Sequence, residues 1–95
     1  MPEIISLKDA RSFLGKEVTA TGTVIRPSPD GRMFYLQDVR MTTLEVHVEE
    51  LTAKVKQGDQ VTVTGLLVAG PKNGEYGLFR PVMKAKSMSL NRPPI

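Results

Sequence analysis

The 95 residues contain no cysteine, no tryptophan and a single histidine. Disulfide cross-links, thiol nucleophiles and cysteine-based zinc sites are therefore excluded together. His47 has no second histidine and no cysteine to join it, so a transition-metal centre is not expected. No long apolar run occurs, and residues 1–6 are too short and too polar at their ends for a signal peptide, so no membrane partner and a cytoplasmic location are expected. Catalytic motifs are missing as well. "GKE" at 15–17 lacks the rest of a phosphate-binding loop, and no serine stands in a nucleophile elbow. Glu49 and Glu50 adjoin but point apart, which denies them a general acid/base pairing. The chain reads as a non-enzyme without a cofactor.

What is present suffices for one compact core: 40% of the residues are apolar, in a length typical of a single domain, taken as 1–95. Charge is unevenly spread. Residues 1–50 carry six Lys/Arg against eight Asp/Glu, whereas 51–95 carry seven against Asp59 and Glu75 alone. A basic half permits a polyanionic partner, though a solvated surface reads the same way.

"SLKDARSFLG", from Ser6 as an N-cap to Gly15 as a stop, predicts a short helix or turn with Leu7, Ala10 and Leu14 on one side. "KEVTATGTVIRP" alternates Val18, Ala20, Gly22 and Val24 inward with Thr19, Thr21, Thr23 and Ile25 outward. "SPDGR" is a loop by its residue chemistry. "MFYLQ" and "LEVHV" follow as second and third strands, with Phe34, Leu36, Leu44, Val46 and Val48 inward and Tyr35, Gln37, Glu45 and His47 outward. Asp38, in the turn between them, reads as structural. Leu51 and Val55, four apart, predict one or two helical turns before Gly58. "QVTVTGLLVAG" is a fourth strand whose Val-Thr-Val-Thr-Gly echoes the Val-Thr-Ala-Thr-Gly of the first. After the glycine-rich tip "GPKNGEYG", "LFRPVMKAKSMSL" is a fifth strand in which Pro81 implies a bulge or an edge. Residues 91–95 form a tail.

Five strands with a short helix between the third and fourth make an all-β, Greek-key barrel plugged at one end. In the order "VTATGTV", "FYLQD" with "LEVHV", and "GDQVTVTGLL" with its glycine-rich hairpin, the chain resembles the oligonucleotide/oligosaccharide-binding (OB) fold over roughly residues 16–90. It is similar to the nucleic-acid-binding modules of aminoacyl-tRNA synthetases, the exonuclease VII large subunit and replication protein A. The resemblance implies a ligand face on strands two and three, flanked by the loops joining strands one to two and four to five.

That face would bind single-stranded DNA or RNA. Aromatic platforms hold bases and cations track the phosphates. The candidates are Arg26, Arg32, Tyr35, Gln37, His47, Lys72, Asn73, Tyr76 and Arg80, with Tyr35 and Tyr76 stacking. Each has a plainer reading: Tyr35 as a strand former, His47 as a surface residue, the arginines as solubility charges. Glu45 and Asp30 would repel phosphate. The rival reading is a protein-contact or architectural module, including a homodimer, built on the outward Ile25, Leu66 and Val68. Saccharide or small-ligand binding would rest on the fold alone.

Overall fold

The computed structural model describes residues 3–49, 55–73 and 78–91, with backbone only for 71–73, 78 and 79. Strand β1 (Glu3–Ile4) is followed by a 3-10 helix (Leu7–Phe13) and by β2 (Glu17–Ile25), β3 (Met33–Gln37), β4 (Thr43–Val48), β5 (Gln60–Asn73) and β6 (Leu78–Leu90). The sheet runs β1-β2-β3-β4-β6-β5, and β5 returns to pair with β2. That last pairing closes a five-stranded barrel and removes its open edges. Among the described residues no helix is long and apolar enough to cross a membrane.

The alternation in the sequence is the alternation of the barrel wall. Val18, Ala20, Val24, Phe34, Leu36, Leu44, Val46, Val61 and Val63 are all at most 1% exposed, while the residues between them face out. The echoed pentapeptides turn out to be ladder partners. β2 and β5 run antiparallel with Thr19 opposite Thr64, Ala20 opposite Val63 and Thr21 opposite Thr62. The Thr19–Thr64 and Thr21–Thr62 hydroxyls are hydrogen-bonded, each at 2.9 Å. Two similar segments thus serve one seam: apolar rungs within, hydroxyl rungs without.

β6 keeps its phase with the core only by slipping twice. Its register against β5 shifts between Thr64 and Gly65 and again between Ala69 and Lys72. The second shift lies beside Pro81, which has no N–H for the ladder, as the sequence anticipates. The first leaves Lys86 unpaired opposite β5, so that Ala85 and Met88, three apart, are both buried.

The helix at 7–13 differs from its expected form. A 3-10 helix has three residues per turn, so i and i+3 align. Leu7, Ala10 and Phe13 accordingly form the inward row, with Leu14 half-buried just past the helix end. Ser6 occupies the N-cap position, but its side chain makes no capping bond. The helix closes the barrel end where β3 stops and β4 starts. It is tied there by the Gly15 N–H donating to the Leu67 carbonyl at 2.7 Å. The helix expected at Leu51–Val55 falls outside the described residues except for Val55, which is 3% exposed and packed into the core.

Candidate nucleic-acid interface

β3 and β4 pair with Met33 opposite His47, Tyr35 opposite Glu45 and Gln37 opposite Thr43. Because Phe34, Leu36, Leu44 and Val46 are claimed by the core, this polar set is held on the outer face. The Tyr35 hydroxyl donates to Glu45 Oε1 at 3.2 Å, and His47 Nε2 lies 2.7 Å from Glu45 Oε2. Glu45 is thereby fixed at both oxygens, with its side chain 22% exposed and that of His47 48% exposed.

The 3-10 helix brings in residues that the sequence reading passed over. With Leu7 and Ala10 directed inward, the next row of the helix, Lys8 and Arg11, is exposed. These two cations, Tyr35, Thr43 and Glu45 from the sheet, and Arg80 and Pro81 from β6 line one cleft of about 360 Å³. Lys8 and Arg11 share the spacing of Leu7 and Ala10, one residue on, but only the folded sheet shows which face that row meets. A hollow of about 280 Å³ lies beyond Glu45, between His47, Glu49, Val82 and Lys84. On β6, Lys84 pairs opposite His47.

Of the expected site residues, Tyr35 and Arg80 meet in the cleft. Gln37 and His47 lie on the same outer face. Arg32 stands at the far end of that face, where its Nη1 donates to the Glu49 carbonyl at 3.0 Å. Arg26 is exposed at the exit of β2 with φ 51°, a left-handed conformation uncommon for a side-chain-bearing residue. Its N–H donates to Gln57 Oε1 at 2.8 Å, and Arg26 is not among the residues lining the cleft. Lys72 and Asn73 pair with Phe79 and Leu78 at the end of the β5–β6 hairpin; Tyr76 lies outside the described residues. Asp38 has the structural role expected of it, accepting from the Arg40 and Thr42 N–H groups at 2.9 and 3.0 Å.

The 26–32 loop is organised by Asp30. Its carboxylate accepts from the Ser28 hydroxyl at 2.6 Å and the Arg32 N–H at 3.0 Å. The Ser28 bond first, and the Arg32 N–H second, hold the Asp30 carboxyl below the ordinary aspartate range. A depressed folded-state pKa stabilises the loop above the ordinary titration range, and that contribution is lost as pH falls through the lowered value. In an NMR pH titration Asp30 should titrate below a free aspartate, with the Ser28 and Arg32 amides moving in step; titration at or above the free value would contradict the loop geometry.

No protein-family model and no curated protein sequence matches the chain. Solved structures do. An OBody bound to hen egg-white lysozyme superposes with a TM-score of 0.74 at 14% identity, covering 99% of each chain. An aspartyl-tRNA synthetase from Entamoeba histolytica gives 0.73 at 14% identity, covering 99% of this chain and 23% of that one. Replication protein A from U. maydis, bound to single-stranded DNA, gives 0.68 at 15% identity, covering 96% and 73%. The chain is an OB fold. At these identities the likeness is one of architecture, and the OB domain's chemistry has to be argued from its own residues.

Proposed function

We propose that this OB domain binds single-stranded nucleic acid along the outer face of β3 and β4, entering at the cleft beneath the 3-10 helix. The observation that carries the reading is the gathering of Lys8, Arg11 and Arg80 around the outward Tyr35 in one cleft. An aromatic ring accepts a base of any sequence, and adjacent cations hold the phosphates on either side of it. Lys84 and Arg32 continue the positive track toward the loop at 26–32. The replication protein A relative, bound to single-stranded DNA, supports the reading at the level of fold.

Fluorescence anisotropy with labelled oligodeoxythymidine and oligouridine tests it. Affinity should fall as salt rises. Tyr35→Ala should weaken binding by about 1–3 kcal/mol, the usual contribution of one stacked base, whereas Tyr35→Phe, which keeps the ring, should stay near wild type. Equal loss in both variants would assign Tyr35 a hydrogen-bonding role and remove the stacking platform.

Protein contact is the second reading, and a separate observation favours it. Ile4, Val39 and Met41 are 80%, 100% and 72% exposed, and Ile4 and Val39 line a hollow of about 360 Å³ beside β1. The outward apolar residues singled out in the sequence do not form one patch: Leu66 pairs with Glu17 at the start of β2, whereas Ile25 ends it. Light scattering after size exclusion should return a monomer; a stable dimer that occludes Tyr35 would favour this second reading.

A further inference from the structure

Glu45 is the feature that nucleic-acid binding leaves unexplained, because a carboxylate in a cleft built for phosphates repels them. Resting on that reading, we propose that Glu45 selects guanine, so that the domain prefers guanine-containing single strands. The carboxylate is pinned rather than free to swing away. Tyr35 donates to one oxygen at 3.2 Å and His47 Nε2 sits 2.7 Å from the other. An ionised carboxylate has about four acceptor positions, so these contacts leave roughly two for a ligand. Tyr35 and Glu45 are direct cross-strand partners and line the same cleft. A base laid on the Tyr35 ring therefore has its edge beside the carboxylate.

The four bases answer such an acceptor differently. Guanine presents two neighbouring donors, N1–H and the N2 amino group, which match the two oxygens of a carboxylate. Adenine offers its N6 amino group beside the N1 acceptor, and cytosine its N4 amino group beside the N3 acceptor. Thymine and uracil offer N3–H between two carbonyls. In each of these other bases, an acceptor faces Glu45 next to the one useful donor. Only guanine converts the carboxylate from a repulsive neighbour into a two-point contact, and the cations at Lys8, Arg11 and Arg80 then hold the flanking phosphates.

The test is an anisotropy series on the full chain with short oligothymidines carrying guanine, inosine, adenine or cytosine at every third position. Spacing the guanines in this way avoids quadruplexes. Inosine lacks only the N2 amino group, so it probes the contact without any mutation of the protein. The guanine strand should bind at least about 5-fold more tightly than the inosine and thymine strands, the low end for a good two-point base contact. Glu45→Gln, nearly the same in shape, should erase that preference while raising affinity for plain oligothymidine, since one negative charge leaves the face. Wild-type binding that is equal for guanine and inosine, or a preference that survives Glu45→Gln, overturns the assignment and leaves the nucleic-acid reading standing. Failure to bind any strand at low salt overturns both. Guanosine 5′-monophosphate serves as a competitor, and should compete only weakly; if it bound as tightly as the strand, the ligand would be the free nucleotide and the strand assignment would fall.

Discussion

Gly65→Ala should destabilise the domain by roughly 3 kcal/mol or more, at the upper end of overpacking effects. A Cβ at this position would collide with the backbone carbonyl oxygen of Lys84, and would meet the Lys84 carbonyl carbon at 2.8 Å and the Ala85 Cα at 2.6 Å. These atoms are main chain, pinned by the pairing of β6 with both β4 and β5, so they cannot turn aside as a side-chain tip would. The collision falls where the β5–β6 register slips, and the slip is what returns Met88 to the core. Gly22→Ala is the milder comparison: its Cβ would meet the Gln37 carbonyl oxygen at 3.1 Å and Leu36 Cβ at 3.2 Å. Urea denaturation should rank the proteins wild type, Gly22→Ala, Gly65→Ala in falling midpoint. Since a small domain has only about 5–15 kcal/mol in reserve, a large part of the Gly65 variant should be unfolded on mild warming. An unchanged midpoint would mean that the bulge is not where the structure puts it.

Replacing Lys8, Arg11 and Arg80 together by alanine should weaken binding to oligodeoxythymidine roughly 10- to 100-fold at low salt, and should flatten the salt dependence. Each phosphate neutralised on a single strand contributes about 0.7 to the slope of log affinity against log salt, so three lost contacts reduce that slope by about 2. The control removes equal charge elsewhere. Lys16, Lys56 and Lys86 lie outside the cleft, and Lys86 is already paired with Glu17 at 2.8 Å. Alanine at those three positions should leave the slope close to wild type. Equal losses in the two triple variants would mean that net charge, rather than the cleft, drives association.

These two experiments probe features of unequal legibility. The strands and their inward phases could be read directly, because a barrel wall imposes a period of two that Val18 to Val24, Phe34 to Leu36 and Val61 to Val63 follow without interruption. The Val-Thr-Val-Thr-Gly segment could be read as strand up to its glycine. The slip it permits could not, since Lys86 looks like any outward residue until its partner strand is known. The same limit applies to the site. The shared outer face of Tyr35, Gln37 and His47 was legible from alternation. Lys8 and Arg11 were not, because in the short helix or turn expected at 6–15 only the apolar side of Leu7, Ala10 and Leu14 has an evident partner in the sequence. Only the closed sheet shows that the row beside that apolar side lines one cleft with Tyr35. Arg26 and Arg32 also make local contacts that loop chemistry does not announce: the Arg26 N–H donates to Gln57 and the Arg32 guanidinium to the Glu49 carbonyl.

The central claim, that the outer face of β3 and β4 and the adjoining 3-10 helix form a single-strand binding surface, is tested most directly by titrating a short single-stranded oligonucleotide into isotopically labelled protein and following the backbone amide signals. The account predicts shifts concentrated at Lys8, Arg11, Tyr35, Glu45, His47 and Arg80, with the Thr19–Thr64 rung of the β2–β5 seam, which lies outside the cleft, unmoved. Shifts centred on that seam, or none at low salt, would contradict it.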